Sequence, residues 1–314
     1  MHQPISARKT AFPGFREIRL EDQQLFRAQL ETMLFRPRLI SYCFSSFFLW
    51  QHWENFFWKQ QGKALCILTT SPDSPARPAA LPPLAPDPES FQQGLEHLLQ
   101  LFHQQGETLC LREIDTDMKE QISQRWPGRF RPEEYPAGNN YIYLREALAR
   151  LSGKGYAHKR NHRNYFFRSN PNWQLLPLTA TLADSCSEAF RSWGEELHPG
   201  SSALQLEAIG VEKALKHREA LGLTGAALLQ AGKIIGFTLG EELGRDCFCI
   251  HIEKADSRFR GAYQAINSLF AEKYCRGRTY INRAEDEGDP GQRWAKESYR
   301  PCRMEKNYIL WEQA

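Results

Sequence analysis

The sequence lacks long apolar runs and a strong charge imbalance. No segment approaches the ~20 consecutive apolar residues of a membrane-spanning helix. The 40 Lys and Arg residues nearly balance the 37 Asp and Glu residues, giving a net charge of +3. That charge is too small to indicate a nucleic-acid-binding protein by itself. The first ten residues, MHQPISARKT, contain no apolar stretch, so we expect no secretory signal.

Metal-ligand spacing is also missing. The eight cysteines are scattered, and Cys247 and Cys249 form the only close pair. Two cysteines two residues apart on a strand are not a metal-ligand pattern, and no second pair exists. We therefore predict no metal site, reduced thiols and a cytoplasmic location.

The length of 314 residues suits two domains of ordinary size. In the first half, periodicity predicts helices over 18–33, 47–60, 89–105 and 116–125 and strands over 64–70, 108–114, 130–135 and 141–144. Residues 71–88 contain seven prolines and are predicted to form a loop. The aromatic segment 47–60 favours a buried or domain-facing helix, with peripheral membrane contact as the alternative.

The second half has a simple element order. The patterns predict a strand, two helices, three strands, a helix, a strand, a helix and a last strand over 303–310. We predict a first domain over residues 1–150 that is degenerate and without chemistry of its own, a basic connector over 151–170, and a second domain over 171–314 that carries the candidate active site.

The segment from Asp246 to Pro301 is the part of the sequence that suggests chemistry. Alternation along a strand over 247–253 places Phe248, Ile250 and Ile252 on one face, which suits a core. Cys249, His251 and Glu253 then lie on the other face, which suits a cleft. Glu253 and His251 are therefore candidates to take a proton from an acceptor.

A basic turn and a helix over 262–274 follow that strand. Free N–H groups at a helix N-terminus, with Arg258 and Arg260 beside them, favour an anion site. Acyltransferases of the GNAT type use Arg/Gln-x-x-Gly-x-Gly/Ala for coenzyme A pyrophosphate. Arg258 and Gly261 fit this pattern, but Tyr263 fills the last position and would crowd a pyrophosphate. The alternative is a glycine at a helix start with solvated arginines.

Three segments carry a family resemblance: HIEKADSRFRGAYQAIN, INRAEDEGDPGQRWAKESYRP and YIYLREALARLSGKGYAHKRNHRNYFF. With them the chain resembles the family similar to the C-terminal domain of phosphatidylglycerol lysyltransferase. The resemblance implies an α+β fold of two tandem GNAT-like domains, each a mixed, mostly antiparallel, twisted sheet flanked by helices. Fem-type aminoacyl-transferases share that arrangement, which implies an aminoacyl-tRNA donor. The lipid-modifying members carry a membrane domain that is not seen here, which counts against a lipid acceptor.

The connector is basic. No acidic residue occurs from Ala147 to Ala183. Lys159, Arg160 and Arg163 are therefore candidate tRNA contacts, because phosphates attract such a stripe. A solvated helix face is the alternative reading.

An acidic loop follows the strand predicted over 279–283. Its carboxylates are candidates to hold the ammonium group of an aminoacyl donor or of a basic acceptor, and a salt-bridged turn is the alternative. Lys296 and Tyr299 share a face of the next helix; in the resembled transferases a lysine neutralises phosphate, and Tyr299 is a candidate to protonate a leaving group. The candidate substrate-binding residues are Lys254, Tyr263, Asn267, Asn282, Arg283, Glu285 and Asp286.

Three functions stay open. The first is aminoacyl transfer from charged tRNA to an amine or hydroxyl of a peptide, small molecule or lipid headgroup. The second is N-acylation that depends on acyl-CoA, and the third is a non-catalytic ligand-binding module. In either transfer, backbone N–H groups stabilise the oxyanion and no resident cofactor is needed. The sequence does not indicate an oligomeric state. The candidate donor-phosphate contacts are Arg258, Arg260, Gly261, Ala262 and Lys296.

Overall fold

The computed structural model describes residues 12–35, 37–71, 74, 77–197 and 200–313. The N-terminal segment in which no secretory signal was expected lies outside these residues. The chain divides into two compact units. The first comprises residues 1–138 and 305–314, and the second comprises residues 139–304.

The first unit holds one mixed sheet and four α-helices within the described residues. The helices are α1 (Gln23–Thr32), α2 (Phe44–Glu54), α3 (Pro88–Gln104) and α4 (Thr116–Arg125). The strands are β1 (Arg16–Glu17), β2 (Phe57–Gln61), β3 (Ala64–Thr70), β4 (Pro78–Ala80), β5 (Cys110–Ile114), β6 (Phe130–Glu134) and β14 (Tyr308–Glu312). Their order in the sheet is β1-β2-β3-β4-β5-β14-β6, and only β4 and β5 of these described strands pair in parallel.

The second unit has the same kind of architecture. Its described helices are α5 (Arg145–Arg150), α6 (Ala157–Ser169), α7 (Ala180–Leu197), α8 (Ser202–His217), α9 (Ala262–Lys273) and α10 (Pro290–Glu297). Its strands are β7 (Asn140–Leu144), β8 (Trp173–Pro177), β9 (Thr224–Gln230), β10 (Lys233–Leu243), β11 (Cys247–Ala255), β12 (Tyr280–Asn282) and β13 (Arg303–Glu305). They form the order β13-β7-β12-β11-β10-β9-β8.

Strong local signals predicted their elements well. In α3 the apolar residues Phe91, Leu95, Leu98 and Phe102 are all buried, as their helical spacing predicts. Asp115 caps α4 by accepting a hydrogen bond of 2.8 Å from the Met118 N–H. Both helices are confirmed.

The aromatic helix predicted over 47–60 is wrong in its second half. Asn55 has φ 51°, a left-handed conformation that ends α2, and the chain continues as β2 from Phe57. The expected burial is confirmed, because Phe47 is fully enclosed. The loop prediction for 71–88 is also wrong in part, since Pro78–Ala80 forms β4.

Two strands lie in the opposite unit from the one that chain order suggested. β7 was expected to close the first half, yet it pairs antiparallel with β12 in the second sheet. The predicted last strand is two strands: β13 lies beside β7, while β14 lies between β5 and β6. The chain therefore enters the second unit before β7 and returns to the first unit before β14. The limits of the units differ from the predicted boundaries at residues 150 and 171.

The second sheet opens between two parallel strands. β11 and β12 pair from Cys247↔Tyr280 to Cys249↔Asn282; there β12 ends while β11 continues to Ala255. The helix α9 connects them, so this unit has a splayed strand pair followed by a helix N-terminus. None of the described helices combines the length and hydropathy needed to cross a bilayer.

The central position of β11 changes one expectation. Phe248, Ile250 and Ile252 lie in the core as predicted. The opposite face was expected to line a cleft, but Cys249 and the His251 side chain are buried there as well. A central strand is covered on both faces, so a cleft can form only near Glu253, beyond the last pair with β12.

Candidate active site

Glu253 lies where β11 has separated from β12. Its Oε1 accepts a hydrogen bond of 2.8 Å from Arg283 Nη2, and its Oε2 accepts one of 3.0 Å from Asn267 Nδ2. Arg283 comes directly after β12 and Asn267 lies on α9. The three side chains therefore bridge the opening between the strands. With Tyr299, they are called the Glu253 site below.

Two polar atoms of this site have no protein partner. Arg283 Nη1 and Asn267 Oδ1 are buried without a hydrogen bond among the described residues. Leaving a buried donor and a buried acceptor unsatisfied costs about 1–3 kcal/mol each. Native proteins accept such atoms mainly where a ligand or water completes them. The pair therefore marks this opening as a place for a polar ligand.

Aromatic rings enclose the Arg283 guanidinium. Its central carbon lies 5.6 Å from the Tyr143 ring centroid and 4.8 Å from that of Tyr299. Burial acts to lower the pKa of Arg283, but the Glu253 carboxylate and the two phenols outweigh it, so the pKa is raised. Burial raises the pKa of Tyr299. At neutral pH the site thus holds a fixed cation and a protonated phenol.

Lys159 reaches the same tyrosine from α6. Its Nζ lies 4.3 Å from the Tyr299 ring centroid and 5.4 Å from the Trp294 ring centroid. The residue is only 7% exposed. Burial, and then the charge of Arg283, lower the pKa of Lys159 to about 8. Lys159, a candidate tRNA contact, is a buried cation close to the Glu253 site.

Lys296, a candidate phosphate contact, holds the loop after β12. Its Nζ donates a hydrogen bond of 2.8 Å to the Arg283 carbonyl and another to the Glu285 carbonyl. Burial lowers the pKa of Lys296 to about 8. These bonds fix the backbone of Arg283, so Lys296 positions the Glu253 site from behind.

Asp286, a candidate substrate ligand, is fully occupied by protein groups. It accepts hydrogen bonds of 2.9 Å from Arg293 Nε, 2.6 Å from the Tyr141 hydroxyl and 2.8 Å from the Gly288 N–H. Burial would raise the pKa of Asp286, but the bonds from Arg293 and Tyr141 lower it. In this structure the carboxylate organises the acidic loop.

Asn282 and Glu285 also bind protein groups. The Asn282 Nδ2 donates to Asn140 Oδ1 at 2.8 Å, and its Oδ1 accepts from the Ala284 N–H at 2.8 Å. Glu285 Oε2 accepts from Asn140 Nδ2 at 3.2 Å. This network joins the end of β12 to β7 and sets the direction in which Arg283 leaves the sheet.

His251 and Lys254 are paired with carboxylates elsewhere on the sheet. His251 Nε2 lies 2.8 Å from Glu241 Oε1, on the neighbouring strand β10. Lys254 Nζ forms an ion pair with Glu207 of α8. In these contacts, neither side chain takes part in the Glu253 site.

The expected phosphate turn packs against α6. Gly261 has φ +89°, and a Cβ atom there would lie 2.1 Å from the His162 carbonyl oxygen. Ala262 is buried in a cluster that includes Phe166 of α6. Close packing against α6 therefore explains why residue 261 is a glycine. The sequence had suggested a different reason, the approach of a pyrophosphate.

The two arginines of the turn, Arg258 and Arg260, differ in whether carboxylates pair with them. Arg258 donates to Asp256 at 2.8 Å and 2.7 Å and also pairs with Glu196. Arg260 stacks 4.8 Å above the Tyr165 ring, and no carboxylate pairs with it among the described residues. Tyr263 is exposed at the first turn of α9. Arg260 is thus the more available cation for a phosphate.

Arg160 and Arg163 donate hydrogen bonds to backbone carbonyl groups. Arg160 Nη1 donates to the Leu151 carbonyl at 2.6 Å, and Arg163 Nη1 donates to the Ala149 carbonyl at 3.3 Å and to Ser268 Oγ at 3.0 Å. Both lie on α6 and fasten it to α5 and α9. The basic connector, predicted as a separate segment, is in fact part of the second unit.

Sequence reasoning missed Tyr143 and Trp294. Tyr143 supplies a wall of the Glu253 site from β7, a strand assigned to the other domain. Trp294 is 68% exposed on α10, next to Lys159. An isolated tryptophan within the charged sequence QRWAKE was the available signal, because such a helix face is normally polar.

Comparisons with known proteins identify the family and the fold. Residues 33–311 match the family described as phosphatidylglycerol lysyltransferase, C-terminal. An uncharacterised protein of Mycoplasmoides gallisepticum is 26% identical over 178 residues, which cover 56% of this chain and only 57% of that protein. A crystal structure of a conserved protein of unknown function from Bacteroides thetaiotaomicron is 30% identical, with a TM-score of 0.85, and covers 96% of this chain and 100% of that one.

More distant structures show the fold. L-PGS from Bacillus licheniformis has a TM-score of 0.64 at 16% identity, with 93% of this chain and 92% of that chain covered. FemX has a TM-score of 0.58 at 9% identity, with coverage of 95% and 97%. The fold is two GNAT-like domains, as expected, and the family match supports an acyltransferase-like function. Because the family match covers residues 33–311, the chain belongs to the family of phosphatidylglycerol lysyltransferase C-terminal domains.

Proposed function

We propose that this protein transfers an aminoacyl group from a charged tRNA to an amine or hydroxyl acceptor. Family membership and fold support an acyl-transfer reaction. The observation that carries the proposal is the Glu253 carboxylate between two unpartnered buried atoms, Arg283 Nη1 and Asn267 Oδ1. One is a donor, one is an acceptor, and the carboxylate between them can accept a proton.

These atoms match the groups of an acyl-transfer transition state. The ester carbonyl of the donor accepts a hydrogen bond from Arg283 Nη1, which stabilises the negative charge that develops on that oxygen. An attacking amine donates one N–H to Asn267 Oδ1 and directs another to Glu253, whereas an attacking hydroxyl directs its single proton to Glu253. Glu253 removes that proton as the new C–N or C–O bond forms. A carboxylate with two accepted hydrogen bonds retains lone pairs for this step.

Tyr299 is suited to protonate the leaving group. The bond from the carbonyl carbon to the ribose oxygen breaks, and that oxygen requires a proton. Because its pKa is raised by burial, the Tyr299 phenol keeps its proton at neutral pH. It protonates the ribose oxygen, and the phenolate then regains a proton through water while Glu253 releases the one taken from the acceptor, so both groups return to their starting states. No covalent enzyme intermediate is needed.

Phosphates of the donor fit the basic side of α9. Arg260 has no carboxylate partner among the described residues, and Arg258 lies two residues earlier with a side chain 46% exposed. Arg258 would have to leave Asp256 or Glu196 in order to bind a phosphate. We therefore assign the main phosphate contact to Arg260 and a secondary one to Arg258.

The test compares donors and variants. Purified protein is incubated with labelled aminoacyl-tRNA or labelled acyl-CoA and a panel of peptides, small amines and lipid headgroups, and acceptor-linked product is identified by mass spectrometry. We expect product from aminoacyl-tRNA, and a rate about 10²–10⁴ lower for Glu253→Gln, the usual contribution of a positioned base. Affinity for uncharged tRNA should change less than about twofold, because the base does not hold phosphate.

Glu212→Gln is the matched control, since Glu212 also pairs with an arginine, Arg191, but on α8. Product from acyl-CoA alone would contradict the donor assignment. A folded Glu253→Gln variant with wild-type rate would contradict the assignment of the base.

A further inference from the structure

Lys159 is a buried residue whose charge no carboxylate among the described residues compensates. No salt bridge to Lys159 occurs within the part of the chain that the structure describes, although the residue is only 7% exposed. The Arg283 guanidinium, another cation, lies over the same Tyr299 ring as Lys159. The Glu253 carboxylate of the site binds Arg283 and Asn267.

An uncompensated buried ammonium is costly to a fold. Burying a charge requires a partner or a hydrogen-bonding environment. The two rings beside Lys159 supply a partial substitute, worth about 0.5–2 kcal/mol for each favourable cation–ring contact. The remaining positive potential favours an anionic group supplied by a ligand.

Trp294 adds an apolar surface at the same place. It is 68% exposed, the largest exposed fraction among the described large hydrophobic residues. One part of its ring lies over Lys159, with 5.4 Å between Nζ and the ring centroid. An exposed indole directly above a cation offers a flat stacking surface and a positive charge together.

The surface of α6 repeats this combination. The His158 and His162 rings lie 4.4 Å apart between centroids with a tilt of 47°, and Arg260 lies over Tyr165. Lys159 lies three residues before His162 on α6, and the charges of Arg260 and Lys159 both act on the His162 ring. Aromatic faces that alternate with cations are the usual features of surfaces that bind single-stranded nucleic acid.

We propose that Trp294 and Lys159 form a nucleotide subsite, in which a base stacks on Trp294 and Lys159 attracts the adjoining phosphate. This inference rests on the proposed function, and it assigns the subsite to the single-stranded 3′ end of the RNA donor. The subsite adjoins the Glu253 site through Tyr299, which Lys159 and Arg283 both contact. That continuity allows the terminal ribose to reach Glu253.

The test measures binding of a fluorescein-labelled single-stranded RNA hexamer ending in CCA, by anisotropy, to the full chain. Trp294→Ala should weaken binding roughly 5- to 150-fold, the usual effect of losing one base–aromatic stack. Trp294→Phe should retain most of the affinity. Trp53→Ala, which removes another exposed tryptophan, is the control and should have no effect.

Salt dependence isolates the phosphate contact. In Lys159→Met the slope of log affinity against log salt should fall by about 0.7, the value for one phosphate of a single strand. Equal affinities for wild type and Trp294→Ala would overturn the subsite, as would an absence of RNA binding by wild type. Loss of binding to anionic lipid vesicles in Trp294→Ala, with RNA binding unchanged, would instead assign Trp294 to a membrane surface.

The outcomes separate the subsite from the proposed function. Aminoacyl transfer with unchanged affinity and KM in Trp294→Ala would overturn the subsite and leave the function standing. RNA binding that depends on Trp294, without transfer from any charged tRNA, would support the subsite and overturn the function.

Discussion

Lys159→Met should stabilise this protein at neutral pH, although it alters a proposed binding residue. Lys159 is buried on α6 without a carboxylate partner among the described residues, and burial lowers its pKa from 10.5 to about 8. At about 1.4 kcal/mol per pKa unit, the charge costs about 3 kcal/mol in the folded state. Removing it also loses the attraction to the Tyr299 ring, about 1 kcal/mol. We expect a net gain of about 2 kcal/mol.

The stability gained by Lys159→Met should decrease as the pH rises. Below pH 8 Lys159 is protonated in both the folded and the unfolded chain, so the cost is constant. Between about 8 and 10.5 the unfolded chain keeps its proton while the folded chain releases it. The free energy of unfolding of the wild type therefore rises with pH in this window. The advantage of Lys159→Met should shrink through the window and vanish above it.

The assay is urea unfolding of both proteins at about pH 7, 9 and 10.5, with the free energy of unfolding from linear extrapolation. Using the difference between variant and wild type cancels contributions from other groups, Lys296 included. Lys216→Met, at an exposed position of α8, is the control and should change stability little at any pH. A Lys159→Met variant that is less stable than wild type at pH 7, or a difference that does not vary with pH, would refute the reasoning.

Two further stability predictions test the packing around the site. Gly261→Ala should lower the free energy of unfolding by about 3 kcal/mol or more, because the new Cβ meets the His162 carbonyl and φ is +89°. The control is Gly277→Ala, where φ is +79° and no atom lies within 4 Å of the new Cβ. It should lower the free energy of unfolding by only about 1 kcal/mol, measured by thermal or urea unfolding. An equal loss in the two variants would contradict the proposed contact with α6. Asp286→Asn should cost about 1–3 kcal/mol at pH 7, a value reduced because Arg293 is partly exposed. Since the pKa of Asp286 is lowered, its contribution is present above about pH 4 and fades as the pH falls through the folded-state pKa, so the variant and wild type should converge in acid. A difference that persists unchanged in acid would contradict this assignment.

The elements with strong periodicity could be predicted from the sequence, and their partners could not. α3 and α4 follow from apolar spacing and an Asp cap. The exchange of β7 and β14 between units was missed, because alternation of side chains describes one strand and does not name its neighbours. The aromatic segment 47–60 misled for a related reason. Dense aromatics suit a buried helix and a buried strand equally, and the left-handed turn at Asn55 decides between them.

The candidate site was predicted residue by residue, but its connections were not. Glu253, Asn267 and Arg283 were all candidates, and the end of the parallel pairing at Asn282 brings them together. Gly261 was singled out for the approach of a phosphate, whereas helix α6, far away in sequence, fills the space beside it. Lys159 belonged to a basic stretch, and composition cannot tell which cation of such a stretch faces inward.

The most direct test of the central claim is a crystal structure of the protein with a non-hydrolysable 3′-aminoacylamino analogue of the adenosine terminus. The account predicts the acyl carbonyl oxygen at about 3 Å from Arg283 Nη1, an ordinary hydrogen-bond distance, with Glu253 beside the carbonyl carbon. An analogue bound with its acyl group away from Arg283, leaving Nη1 and Asn267 Oδ1 unpartnered, would contradict it.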